Sequence, residues 1–387
     1  MFLNYLKGFA EASAFYSEES YFETTHLENV ILHSIHLCKK RNLDEKLVVA
    51  IAMGHDLGRT HLKVPGKKHA KAGSKLMKKL LEDSEFSDDE KGIICDAIEH
   101  HNEKNKIHNA YDELIKDADS LAHRDDGILT EDNKYEQYRV IASECESVEM
   151  TFAPVSEWIT AYREHVGMLK ESYLNVDKLD NHPDEWVHEI RTGTRKLRTI
   201  LNFLAPTEKK IQKKLDKWAL EMSEARFLHV ATLKADHLSP KVNKKLNGLY
   251  KELGSKLSQK KVDKRIEQLN IEFDHEKIIS DSLSRYERLI MDVTPKNMHK
   301  LRVKGKSIKY LTQMELSELS PSEMVDAVLR LHDLLGDYND FLEMADYFKE
   351  SRFKIEAKKL MDSIQMEIFL VRKIILCCTT TKNVRYN

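Results

Sequence analysis

The 387-residue sequence has no unbroken apolar stretch of the 18 or more residues that a membrane-spanning helix needs, so no span is expected. It is poor in chain breakers, with 13 Gly and 7 Pro. That argues against a turn-rich sheet protein and favours long helices. Its five cysteines, Cys38, Cys95, Cys145, Cys377 and Cys378, form no C-x2-C pair. Neither a disulfide scaffold nor a thiolate zinc knuckle is expected, and reduced cysteines suit the cytoplasm. Met1–Ala14 has no basic flank followed by a long apolar core, so a secretion signal is not expected either.

What is present is charge, at 33% of residues, against 41% hydrophobic residues that can build a substantial core. The net charge of −2 hides an uneven distribution. Met1–Val148 holds 20 basic and 28 acidic residues, whereas the remainder holds 42 basic and 36 acidic. Such a shift supports a domain boundary near residue 148 and points any polyanion to the second part. Helical periodicity predicts helices over 26–41, 43–53, 69–81, 88–99 and 111–122. The run Ser87-Asp88-Asp89-Glu90 suits a helix N-terminus. Further helices are expected at 185–204, 208–235, 241–269, 274–291, 296–315, 321–334, 337–348 and 353–376, and no strand pattern competes. The expected fold class is all-α. The expected domains are 1–148 and 149–378, with 379–387 a frayed tail.

Within the first domain stand His26, the doublet His55-Asp56 between Gly54 and Gly58, His69, the pair His100-His101, and Asp117-Ala-Asp119. Imidazole with carboxylate suits borderline divalent ions such as Mn, Fe, Co, Ni or Zn. Two such ions can activate a water and hold phosphate oxygens. The segment Val49–Arg59, VAIAMGHDLGR, together with His26 and the distal acids, resembles the HD superfamily of phosphohydrolases over residues 26 to about 125. The resemblance implies a helical metal-binding domain with a divalent ion, Mg included, at one or two sites. His26, His55 and Asp56 match its ligands. Asp119 best matches its distal carboxylate, with Asp117 the alternative. His69, His100 and His101 resemble the extra histidines that bind a second metal or contact phosphate, and Arg59 stands where Lys is common. Asp56 would both ligate metal and orient the attacking water. The implied reaction is hydrolysis of a phosphomonoester or phosphoanhydride. His33, His36, His61, His108 and His123 receive no role.

The second domain writes one pattern twice. His188, Arg191, Arg195 and Arg198 lie at offsets 0, 3, 7 and 10, as do His299, Arg302, Lys306 and Lys309, starting 111 residues later. Those offsets stack basic groups on one helix face, at a cost of a few tenths of a kcal/mol per neighbouring like pair. A bound polyanion would offset that cost through charge-assisted hydrogen bonds. The region from about 149 to 376 resembles the CHAD domain, the conserved-histidine α-helical domain. The resemblance implies two related helical halves around a basic channel that binds inorganic polyphosphate. It carries over at His188, Arg191, Arg195, Lys196 and Arg198, and at His299, Arg302, Lys306, Lys309 and Tyr310. Gly336-Asp-Tyr-Asn339-Asp340 matches the family's Gly-x-x-(Arg/Asn)-Asp motif, while the first copy, at Met222 to Arg226, is degraded.

The expected partners are inorganic polyphosphate and a small phosphate ester or nucleotide. Nucleic acid is not expected, because the basic helices lack interleaved aromatics apart from Tyr310. The competing expectation is a non-catalytic polyphosphate-binding protein at cytoplasmic polyphosphate granules.

Overall fold

A computed structural model describes residues 2–15, 20–145, 149–205, 207–235, 240–258 and 284–385. The chain divides into two units, Met1–Val148 with Met366–Asn387, and Glu149–Gln365. No helix among the described residues is long and apolar enough to cross a membrane.

The first unit is helical throughout its described residues. Three of its helices start where a side chain satisfies free backbone N–H groups. Asp44 accepts from the backbone of Lys46 and Leu47 ahead of Glu45–Gly54. Ser87 and Glu90 form a reciprocal capping box ahead of Asp88–His100. Asn109 caps Ala110–Asp125. That last helix is the centre of the unit, buried continuously from Asp112 to Ala122. Its apolar residues Leu114, Ile115, Ala118 and Leu121 join a core with Val30, Val48, Ile51, Met77 and Ile98. Its charged residues are buried as well, so each must be paired.

One boundary differs from the sequence expectation. Residues 366–378 were expected in the second domain but fold into the first unit. The Lys373 ammonium lies 2.7 Å from Glu113 and 2.9 Å from Asp117, both in the central helix. Phe369 lies beneath the Arg139 guanidinium. The last helix spans Met361–Arg385, so the tail expected to fray from residue 379 continues as helix.

In the second unit the long helices are Val155–Leu174, Pro183–Leu204, Met298–Gln313 and Ser322–Phe348. The Pro183–Leu204 helix opens on a proline, whose missing N–H costs nothing there. Trp186, Ile190, Leu197 and Leu201 bury one of its faces and leave the basic face uncovered. Two departures from expectation follow from non-local contacts. Glu149–Phe152 and Ser317–Ser320 pair as antiparallel strands, Glu149 opposite Ser320 and Phe152 opposite Ser317. Four-residue strands are too short to show alternation in sequence. The helices expected at 321–334 and 337–348 are one, because Gly336 continues the helix beside Arg302. The expected helices at 241–269 and 274–291 lie partly outside the described residues.

Candidate functional sites

The sequence brings four metal-type ligands of the first unit to helix ends and two to mid-helix. His26 comes from Ser20–Arg41, His55 ends Glu45–Gly54, and Asp56 begins the short Leu57–Thr60 helix. His69 starts Lys68–Leu80, His101 ends Asp88–His100, and Asp119 lies inside Ala110–Asp125. Gly58 makes this assembly feasible. A Cβ on it would sit 2.0 Å from the His69 carbonyl oxygen and 2.7 Å from the Gly73 nitrogen. Only glycine lets the two backbones approach so closely, and that approach sets Asp56 beside His69.

The side chains form two buried groups, His26 with His55 and Asp119, and Asp56 with His69 and His101. Every imidazole is pinned through Nδ1. His55 donates to the Ala52 carbonyl at 2.7 Å, His69 to Gly66 at 2.6 Å and His101 to Ile98 at 2.7 Å. His26 Nδ1 lies 2.7 Å from the Asp126 carboxylate. All four Nε2 atoms therefore face the interior, the orientation that second-shell partners give metal-binding histidines. His55 Nε2 is buried without a hydrogen-bond partner, and His26 Nε2 meets only Asp119 Oδ1, at 3.1 Å. His69 Nε2 and His101 Nε2 lie 3.1 Å apart, where two lone pairs repel unless a cation intervenes. A space of about 10 Å³ borders His26, His55 and Asp56, room for one water or ion. The residues present thus fit a divalent cation in each group.

Asp56 joins the two groups. Its Oδ1 is 2.9 Å from His69 Nε2 and 3.5 Å from His101 Nε2, and its Oδ2 is 3.6 Å from His55 Nε2. Arg59 pairs with Asp56 and also with Glu23. Burial opposes ionisation of Asp56, but His55, His101, His69 and Arg59 hold its carboxyl well below the usual carboxylate range. Asp119 is held low in the same sense against burial, by Lys104, His123 and His26. Burial drives His55 down to about 4, which keeps it neutral as a metal ligand must be. Burial also opposes protonation of His26, yet Asp119 and its acidic neighbours raise it to about 9. A cation occupying the first group would take that proton's place.

Two of the expected site residues lie outside these two groups. His100 is not beside His101's site, because one helical residue turns it by about 100°. It pairs with Asp112 at 2.7 Å, stacks on His108 at 4.4 Å, and with Glu103 and His108 forms a separate, half-buried group. Asp117 belongs to neither metal-type group, because Arg41, Arg139 and Lys373 hold its carboxylate at 2.7, 2.8 and 2.9 Å. The structure also adds residues that sequence reasoning did not single out. Asp126 orients His26, Lys104 lies 2.6 Å from Asp119, and Asn102 lies 3.0 Å from His69. His123, left without a role, stands 3.4 Å from Asp119 and is held by Glu136 at 2.6 Å. Their signal in sequence was weak, since acid, amide and lysine side chains are common on any helix surface.

The second unit contains a cavity of about 640 Å³. Both basic helices face it, through His188, Arg191 and Arg195 on one and His299, Arg302, Lys306, Lys309 and Tyr310 on the other. Arg226, from the degraded motif copy, adds a further cation. Lys196 and Arg198 are not in its lining; Arg198 pairs instead with Asp216 at 2.8 Å. Lys196 follows Arg195 by one residue and so points about 100° around the helix. Arg191 Nε, Arg226 Nη1 and Arg302 Nε are buried without a hydrogen-bond partner. Burial, then Arg195 and Arg226, pushes Arg191 down to about 9. Burial, then Arg195, Arg191 and Arg302, pushes Lys306 down to about 6. The opposite wall is acidic, but Lys309 holds Asp333 at 2.7 Å, and Lys234 holds Asp337 and Asp340 at 2.6 and 3.0 Å. The cavity therefore gathers cations, several of which repel one another, a setting that favours an incoming anion.

No curated protein and no solved structure matches the chain. The family model of the HD domain matches residues 24–124, a span that holds His26, His55, Asp56, His69, His101 and Asp119, and this part of the chain is an HD domain.

Proposed function

We propose that the first unit is a metal-dependent phosphohydrolase whose two buried His/Asp groups would hold divalent cations, and that the second is a CHAD-like unit that binds inorganic polyphosphate. The observation that carries the first part is the convergence of four Nδ1-pinned imidazoles on two carboxylates. The HD domain is a family of metal-dependent phosphohydrolases, and the nitrogen and oxygen donors suit Mn, Fe, Co, Ni or Zn. When bound, such ions supply Lewis acidity and lower the pKa of a water. The chain's own residues do the rest. His26, His55 and Asp119 would hold one ion, and Asp56, His69 and His101 would hold a second. Arg59 and Lys104 offset the carboxylate charge, and Arg59 would meet substrate phosphate. His123 offers a proton-transfer group beside Asp119. The reaction is hydrolysis of a phosphomonoester or phosphoanhydride.

The polyphosphate reading rests on two basic helices facing one cavity with unpartnered guanidinium nitrogens. An extended chain of phosphates can meet many separated cations at once, which a single phosphate ester cannot. The same reading puts the protein at cytoplasmic polyphosphate granules.

The deciding experiment measures phosphate release from polyphosphate, nucleoside phosphates and small phosphomonoesters with Mn, Co, Ni, Mg and Zn, beside Asp56→Ala. Release that requires metal and disappears in the variant is expected. Equal release by both proteins would remove the enzyme assignment and leave a binding protein.

A further inference from the structure

The buried charges of the first unit do not all belong to the metal-type groups. Arg41, Glu113, Lys116, Asp117, Arg139 and Lys373 form a second cluster, each at most 7% exposed. Five of these six residues come from the chain before residue 140. Lys373 alone comes from the returning C-terminal segment, and it reaches both acids, Glu113 at 2.7 Å and Asp117 at 2.9 Å.

The central helix is charged on both sides. Glu113 and Asp117 lie four residues apart and so share one face. Asp119 follows Asp117 by two residues, about 200° around the helix, and faces His26. Any roll of this helix that freed Asp117 from its cations would carry Asp119 away from the first group. A second path runs through Arg139. It holds Glu113 at 2.9 Å and Asp117 at 2.8 Å, and donates to the backbone carbonyls of Lys104 and Lys106, both at 2.8 Å. Lys104 in turn holds Asp119 at 2.6 Å. The segment adds two further anchors. Phe369 lies under the Arg139 guanidinium, and the Tyr138 hydroxyl donates to Glu367 at 3.3 Å.

We propose that Lys373, carried on the C-terminal segment, is a positioning residue for the metal centre: by fixing Glu113 and Asp117 it sets the roll of the helix that delivers Asp119. This rests on the metal-centre reading of the first unit. The HD domain would then be incomplete as a contiguous stretch, needing a side chain from beyond residue 365.

The test uses full-length protein stripped of metal and titrated with Co2+, followed by calorimetry and visible absorption, with phosphate release as a second readout. Lys373→Met is expected to weaken Co2+ binding by about tenfold or more, to alter the ligand-field bands, and to lower kcat with little change in KM. Lys373→Arg is expected to restore all three, which loss of bulk packing alone would not explain. Wild-type affinity and spectrum in Lys373→Met overturn the proposal. If that variant does not fold, Lys373→Met with Asp117→Asn removes one buried cation and one buried anion together and keeps the balance. Weakened Co2+ binding in the folded double variant upholds the proposal, and wild-type binding overturns it. Failure of the wild-type protein itself to bind Co2+ rejects the metal-centre reading, and this inference with it.

Discussion

Replacing Gly58 with Ala adds one methyl group at the tightest backbone crossing of the first unit. The new Cβ would stand 2.0 Å from the His69 carbonyl oxygen, 2.8 Å from its carbonyl carbon and 2.7 Å from the Gly73 nitrogen. Contacts under 3.0 Å are essentially not seen for real Cβ atoms, and here the neighbour is backbone that cannot swing aside. The Lys68–Leu80 helix must therefore retreat by about 1 Å, an overpacking strain of about 1–3 kcal/mol. His69 starts that helix, so the 2.9 Å Asp56–His69 approach opens with it. A displacement of about 1 Å can cost about 100-fold in rate. His26, His55 and Asp119 stand on other helices, so their group should survive. Gly58→Ala is expected to keep its helical spectrum and to lose one of two Co2+ equivalents. Its phosphate release should fall by about two orders of magnitude. Calorimetric metal counting and steady-state kinetics on one preparation check this. A variant that binds both equivalents and turns over at the wild-type rate would refute the argument that this crossing builds the second group.

Asp126→Asn keeps the size of the side chain that pins His26 Nδ1 but removes its charge. It should weaken metal binding by about 10–100-fold, read by competition with a chromogenic chelator. An unchanged affinity would show that Asp126 does not orient His26. Polyphosphate binding should depend on pH through Lys306. In the free protein Lys306 is pushed down to about 6 by burial and its basic neighbours, and a bound polyanion raises it again. Binding thus takes up a proton, and affinity should rise as pH falls from 8 to 6, then level off. Anisotropy of labelled polyphosphate measures this; Lys306→Gln should flatten the profile, Arg195→Glu with Lys306→Glu should abolish retention, and affinity rising with pH would contradict the assignment.

The sequence made the metal-type residues legible because imidazole and carboxylate in that order are few and chemically specific. It could not decide between neighbours. His100 and His101 differ only in which side of a helix end turns inward, and Asp117 and Asp119 both lie in a stretch buried from Asp112 to Ala122. Both acids meet cations, so charge complementarity alone did not separate a ligand from a structural anion. The repeated basic faces were legible for a different reason, since helical offsets alone set which side chains share a face. Even there, Arg198 found Asp216, a partner on the Lys209–Glu221 helix that no offset could reveal. The helix Phe2–Phe15 and the two short strands went unread because each is held by packing or pairing with distant chain. The least legible feature was the return of residues 366–378 to the first unit.

That return has a consequence for synthesis. Asp117 and Lys373 are 256 residues apart, and a ribosome adding about 5–20 residues per second separates them by roughly 13–50 s. During that interval the whole of Glu149–Gln365 emerges, free to fold on its own contacts, while the nascent HD domain still lacks the ammonium that Glu113 and Asp117 share. Metal acquisition by the first unit would then wait until Lys373 has been made. A prematurely terminated chain would carry every ligand side chain and a complete basic cavity, yet would lack the anchor for the helix that delivers Asp119.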